Sequence, residues 1–188
     1  MVCFDEFSVW DRPSLYYAWA KKNTKPEVSS NEKRKRNRLN AMISANAVTG
    51  EIYLQLKEKS LAEDIARYLG DLCEDAHRGS TEELTIVLDN VPTHKLKMIA
   101  CLNDYLEESG IKDKIKVDFM YTPPYSPKLN LAEYEIHHLR LQKLHHMPSN
   151  TTMDQIKERL TSVNTLMNPK QISNTLEHIY ALGSGISC

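Results

Sequence analysis

The chain has 188 residues, with 24 Lys and Arg against 25 Asp and Glu, and a formal net charge of −1. A chain of this length buries roughly 70% of its unfolded surface, so it needs neither disulfide nor metal to fold, and one globular domain is the expectation. No apolar run reaches the ~18 residues of a membrane span, the acidic segment Met1 to Trp10 is not a signal peptide, and Cys3, Cys73, Cys101 and Cys188 lack paired spacing, which favours reduced intracellular thiols over disulfides or zinc.

In chain order, Val2 to Phe4 is a short β-prone run ending on Asp5-Glu6. Residues 11 to 36 are broken by Pro13, Pro26 and Ser29-Ser30 and are expected to be irregular. Arg38 to Ala47 alternates polar and apolar residues in the period of a half-buried strand. Thr49-Gly50 is a turn, and Ile52, Leu54 and Leu56 alternate after it, which together make a hairpin. Ser60 followed by Glu63 reads as a capping box. Leu61, Ile65, Leu69 and Leu72 then recur at helical spacing up to Gly79.

Leu84 to Leu88 (LTIVL) has the profile of a strand buried on both faces. A helix over 93–109 closes at Gly110, and Ile115 to Met120 is a further strand. Pro123-Pro124-Tyr125-Ser126-Pro127 cannot be helix or central strand. Helices are expected at about 131–146, 151–164 and 169–182. A hairpin beside strand–helix–strand crossovers implies a mixed sheet with helices on its faces. No Gly-rich phosphate loop follows any strand.

Charge is unevenly spread. Eight basic residues between Lys21 and Arg38 face only Glu27 and Glu32, whereas Glu51 to Asp118 holds fifteen acids against nine Lys and Arg. Arg140 and Lys143 make the later helix basic again. This is the map of a cationic surface flanking an acidic centre, although a solvated charged loop gives the same pattern.

Three acids occupy positions with chemical potential. Asp5 is read as ending the first strand, Asp89 ends the LTIVL strand where open α/β sheets place their ligands, and Glu133 opens a helix after a stiff loop. If the first and fourth strands are parallel neighbours, Asp5 and Asp89 emerge side by side and repel unless a cation lies between them. Hard oxygen donors of this kind suit Mg²⁺ or Mn²⁺. Taken singly, each acid also fits a turn, a helix cap or dipole complementarity.

Taken together, the motifs resemble a known family. Phe4-Asp5-Glu6, Val87-Leu88-Asp89-Asn90 with His94, and the run Tyr121-Thr-Pro-Pro-Tyr125-Ser-Pro-Lys-Leu-Asn130-Leu-Ala-Glu133 closely resemble the catalytic core of mariner-like DDE transposases, in their bacterial insertion-sequence branch. Leu131 stands where that family usually has proline, and the Trp common shortly after the Glu is absent. The resemblance implies an RNase H-like α/β fold, with a five-stranded mixed sheet of three antiparallel then two parallel strands flanked by helices.

It also implies a metal triad of Asp5, Asp89 and Glu133. Two Mg²⁺ or Mn²⁺ ions would be bound, Asp5 bridging them with Asp89 on one and Glu133 on the other. The implied activity is metal-dependent DNA cleavage and strand transfer in transposition. Double-stranded DNA, as transposon ends and target, would be the partner, with a homodimer as the active form and a location with the DNA inside the cell (cytoplasm or nucleoid in a bacterium). Family members carry helix-turn-helix modules before the first Asp motif. The expectation for residues 1–188 is therefore the catalytic domain alone.

Asn90, His94, Tyr125 and Asn130 are expected to support the site or shape its loop. Lys33, Arg34, Lys35, Arg36 and Arg38, with Arg140 and Lys143, are expected to bind DNA or clamp a second subunit. Glu6 should point away from Asp5, since side chains alternate along a strand, and Glu135 away from Glu133, since helical residues two apart point about 200° apart. The His137/His138 and His145/His146 doublets face different ways and make poor metal sites. The competing reading is a catalytically inactive transposon-derived DNA-binding or scaffold protein. An aspartyl phosphotransferase is set aside, because it needs a second Asp two residues after Asp5, where Phe7 stands.

Overall fold

The computed structural model describes residues 1–11, 21–24, 37–145, 147–148, 150–161 and 169–184. The strands are β1 (Val2–Trp10), β2 (Arg38–Asn46), β3 (Ile52–Lys57), β4 (Glu83–Leu88) and β5 (Lys116–Tyr121). The helices are α1 (Ala62–Arg78), α2 (Leu96–Glu108), α3 (Leu131–Leu139), α4 (Met153–Thr161) and α5 (Pro169–Ser184). The sheet order is β3-β2-β1-β4-β5. β1 runs antiparallel to β2 and β2 to β3, whereas β4 is parallel to both β1 and β5. This is the RNase H-like arrangement implied by the motifs.

β1 is nine residues long rather than a short run ending at the acidic pair. Its pairing with β2 continues from Val2↔Asn46 to Trp10↔Arg38, and that ladder carries the strand straight through Asp5 and Glu6. Asp5 therefore lies within a strand. Its pairing with β4 stops earlier, at Cys3↔Val87, so Asp5 sits just past the point where the parallel neighbour peels away.

Alternation along β1 and β2 feeds two cores. Cys3, Phe7, Val9, Ala41, Ile43 and Ala45 pack with α3, α4 and α5 on one face. Val2, Phe4 and Met42 pack with α1 and α2 on the other. In β4, Val87 serves the first face and Leu84, Ile86 and Leu88 the second, so the expected double burial is observed. β5 alternates exposed and half-buried residues, as an edge strand does. The hairpin between β2 and β3 turns at Gly50, whose φ of 75° lies in the left-handed region open to glycine.

Three further element boundaries differ from expectation. The first residue before α1 is Leu61 and not Ser60. Its N–H donates to Asp64 Oδ2 at 3.0 Å, so Asp64 rather than Glu63 supplies the acidic half of the cap. Leu61 is 53% exposed and leaves the buried face to Ala62, Ile65, Ala66, Leu69 and Cys73. The expected 93–109 helix is split into a 3₁₀ turn at Pro92–His94 and α2, because Pro92 supports a tight first turn while Lys95 leaves helical geometry. The expected 131–146 helix ends as α at Leu139 and widens into a π turn over Arg140–Leu144, where His145 N–H donates to Arg140 O at 2.8 Å. Leu131 is the first residue of α3, a position that suits proline equally well. Here its side chain is fully buried.

Cys3, Cys73 and Cys101 are free thiols. Among the described residues, no helix is long and apolar enough to cross a membrane. Lys25, Lys33, Arg34, Lys35 and Arg36 lie outside the described residues, as does His146.

Candidate active site

The site forms where β1 and β4 separate. Asp89 follows the last residue of β4 directly, and β5 leads into the proline-rich loop. Thr122 N–H still donates to Leu88 O at 2.8 Å, which holds the start of that loop against the end of β4. Asn130 then caps α3. Its Oδ1 accepts from Ala132 N–H at 3.1 Å, and its Nδ2 donates to the Phe4 carbonyl at 2.9 Å. This buried amide fastens the start of α3 to the backbone immediately before Asp5. Glu133, in the first turn of α3, is thereby brought to the strand.

Asp5, Asp89 and Glu133 line one cavity of about 400 Å³, together with Asn90, Asn130 and the loop from Thr122 to Ser126. Tyr125 stands at its wall, 103% exposed and with φ 58°, a left-handed conformation that costs a non-glycine residue on the order of 1 kcal/mol or more. Burial pushes the Asp5 carboxyl up to about 8, and the charge of Glu133 adds to this. The Glu6 N–H, 2.7 Å from Asp5 Oδ1, works in the opposite direction, while Asp89 and a hydrogen bond to Glu133 raise it further.

The other acid of the first motif faces away, as strand alternation requires. Glu6 Oε2 lies 2.7 Å from His94 Nε2, and the other ring nitrogen, Nδ1, lies 2.5 Å from Asp89 Oδ1. His94 is 1% exposed and packs edge-on against Phe4. Burial disfavours its charged form, but Glu6 and Asp89 outweigh that and raise its pKa. The link from Glu6 to His94 joins residues 88 apart in sequence and is missed by motif spacing. Thr122 and Val91 line the cavity too, and the motifs alone do not single them out.

Glu135 lies on the buried side of α3, 3.4 Å from His138 Nδ1, and burial raises its pKa. It does not line the cavity. Arg140 and Lys143 also lie off the cavity, and the Arg140 guanidinium sits 5.6 Å from the centre of the Phe7 ring. Arg38 stacks over Trp10 at 5.6 Å and donates to Asn40.

The donor set fits a divalent cation. All three groups are hard carboxylate oxygens, and buried Asp5 holds a proton to about pH 8 when nothing else supplies positive charge. Among the described residues, no three His, Cys, Asp or Glu side chains converge on one point tightly enough to hold an ion by themselves. They line the walls of a cavity instead, with one Asp89 oxygen turned to His94. Such an open carboxylate set suits ions that keep part of their water shell.

An acidic cavity at the end of parallel strands, on a mixed sheet of this order, defines the class of RNase H-like domains with a carboxylate site. Within that class the chain belongs to the DDE superfamily endonuclease family, whose model matches residues 1–156. Its fold is similar to that of the mariner Mos1 transposase. The Mos1 paired end complex with Mg has a TM-score of 0.68 at 15% identity, with 98% of this chain and 54% of that chain covered. The corresponding complex with Mn gives 0.66 at 16% identity, covering 100% and 56%. The Mos1 catalytic domain gives 0.58 at 13% identity, covering 97% and 76%. The chain thus spans about half the length of the Mos1 chains in those complexes. No curated protein matches it in sequence.

Proposed function

We propose that residues 1–188 are a DDE transposase catalytic domain that cuts DNA strands and joins them to a target with the help of divalent metal. The observation that carries this reading is the meeting of Asp5, Asp89 and Glu133 around one cavity in a member of the DDE endonuclease family. The presence of all three carboxylates there argues against an inactive scaffold.

Asp5, Asp89 and Glu133 would hold Mg²⁺ or Mn²⁺, two ions in the full reading. When bound, such ions supply Lewis-acid polarisation of phosphoryl oxygens and a nucleophile at neutral pH. The protein's own part is placement. Asn130 holds Glu133 against β1, the loop from Thr122 to Ser126 walls the cavity, and the burial of Asp5 excludes water from one side of it.

Double-stranded DNA is the proposed partner, as transposon ends and target, with a homodimer as the active form and an insertion-sequence element as the source. The similar Mos1 structures include a paired-end complex with a transposon end and a strand transfer complex, which supports DNA as substrate. Lys33 to Arg36, Arg38, Arg140 and Lys143 are the proposed DNA-backbone or dimer-clamp residues.

The deciding experiment incubates the chain with supercoiled plasmid and Mn²⁺ or Mg²⁺. Nicking that depends on metal, and disappears in Asp89→Asn, is the expected result. Metal-independent nicking, or equal nicking by wild type and Asp89→Asn, would sink the reading.

A further inference from the structure

We infer that Glu6 and His94 form a positioning pair that fixes the Asp89 carboxylate toward the cavity and so strengthens divalent-ion binding through Asp89. This rests on the reading of Asp89 as a metal ligand. Asp89 belongs to no helix or strand, and its side chain is 40% exposed, so by itself it would sample several rotamers. It also shares the cavity with Asp5 and Glu133, and repulsion from a charged neighbour there would drive it outward.

His94 opposes both tendencies. Nδ1 reaches the Asp89 backbone carbonyl at 3.4 Å and lies 2.5 Å from Oδ1, so the charge of the ring sits against a buried Oδ1 and leaves the second oxygen for the cavity. The ring is itself fixed. Nε2 is held by Glu6 at 2.7 Å, the edge of the ring packs on Phe4, and the Tyr121 hydroxyl donates to the His94 carbonyl at 2.8 Å. A residue that only filled space between Phe4 and β4 would need no polar partner, since an aliphatic side chain would serve. Here Nε2 is hydrogen-bonded to the Glu6 carboxylate, and Nδ1 faces the Asp89 backbone carbonyl at 3.4 Å as well as the nearby Asp89 carboxylate. The adjacent acids of the first motif thus have separate duties, with Asp5 at the cavity and Glu6 steering Asp89 from the other face of the sheet.

The test is Mn²⁺ titration of the full chain by calorimetry, alongside metal-free thermal melts. Glu6→Ala should weaken Mn²⁺ binding by ~10–100-fold, the usual cost of losing a partner behind a metal ligand, with little change in the metal-free Tm. Glu6→Gln, whose amide oxygen still accepts from Nε2–H, should return close to wild type. Glu6→Asp keeps the charge but is one methylene short of the ring, so it should also lose affinity, and it decides the matter should Glu6→Ala fold poorly. Wild-type Mn²⁺ affinity in both Glu6→Ala and Glu6→Asp, with Asp89→Asn defective, would overturn the positioning role alone. Absence of Mn²⁺ binding by the wild type would overturn the metal reading of the site, and this inference with it.

Discussion

The two faces of the sheet are held by different means. Under α1 and α2 the core is large and aromatic. Tyr68 is fully buried between Phe4 and Tyr53, with its hydroxyl 2.8 Å from both Ser44 Oγ and the Tyr53 carbonyl. α2 lays Tyr105 across Gly70 of α1 so closely that an added methyl would meet the ring at 2.4 Å. Under α3 the packing residues are smaller, with Ala41, Ala45 and Ala132 among them, and the buried amide of Asn130 makes the critical tie. The first face is the more aromatic, with Glu6 and His94 at its edge, and the second gives up packing where Asp5 and Glu133 enter. β1 serves both, one residue at a time.

The largest expected effect breaks the acidic side. Asp5→Asn, Asp89→Asn and Glu133→Gln should each bring metal-dependent plasmid nicking to background while circular dichroism stays native. Glu135→Gln should nick like wild type, because Glu135 lies off the cavity. A dead Glu135→Gln with an active Glu133→Gln would mean that α3 presents the other side to the site. Metal should also raise the Tm of wild type by mass action on the native state, and that of Asp89→Asn much less.

Next is the packing side. Tyr68→Ala should cost about 3–5 kcal/mol in denaturant melts, the range for emptying a buried aromatic site. Gly70→Ala should cost about 1–3 kcal/mol by forcing Tyr105 aside. The fraction that remains folded should bind Mn²⁺ as wild type does. A matching loss of metal affinity would mean that the Tyr68 packing reaches the site through Phe4 and His94.

The contrast can be sharpened with pH. Asp5 is pushed up to about 8 in the folded chain, so between its ordinary range near 4 and that value the native state binds the extra proton. Stability of the metal-free protein should therefore fall as pH rises through this window, by on the order of a few kcal/mol in all. Asp5→Asn should flatten the fall and melt higher than wild type at pH 8. A wild-type Tm independent of pH from 5 to 8 would contradict the burial argument. Saturating Mn²⁺ should restore stability at the alkaline end, since a cation replaces the proton.

The smallest effect on stability is expected from neutralising Lys33, Arg34, Lys35 and Arg36 together. Melts should barely move, whereas the slope of log affinity for DNA against log salt should flatten by about 0.9 for each phosphate that is no longer neutralised. An unchanged slope would remove these residues from the proposed DNA surface. Loss of self-association instead would assign them to a subunit clamp.

Much of this was legible in the sequence because it is local. Alternation over residues 38–47 and 52–56 defines the hairpin, LTIVL the buried strand, and the run from Tyr121 to Glu133 a stiff loop feeding a helix. These patterns, with the three acids, depend on neighbours a few residues away and on the periods of strand and helix. Tertiary structure decided the rest. β1 extends through two acids only because β2 offers nine partners in register. Leu61 rather than Ser60 precedes α1 because the burial of Ala62, Ile65 and Leu69 sets the rotation of the helix. Glu6 faces away from Asp5 by simple alternation, but its partner His94 comes from 88 residues away. Local periodicity says which way a side chain points, and only the folded sheet supplies what it meets.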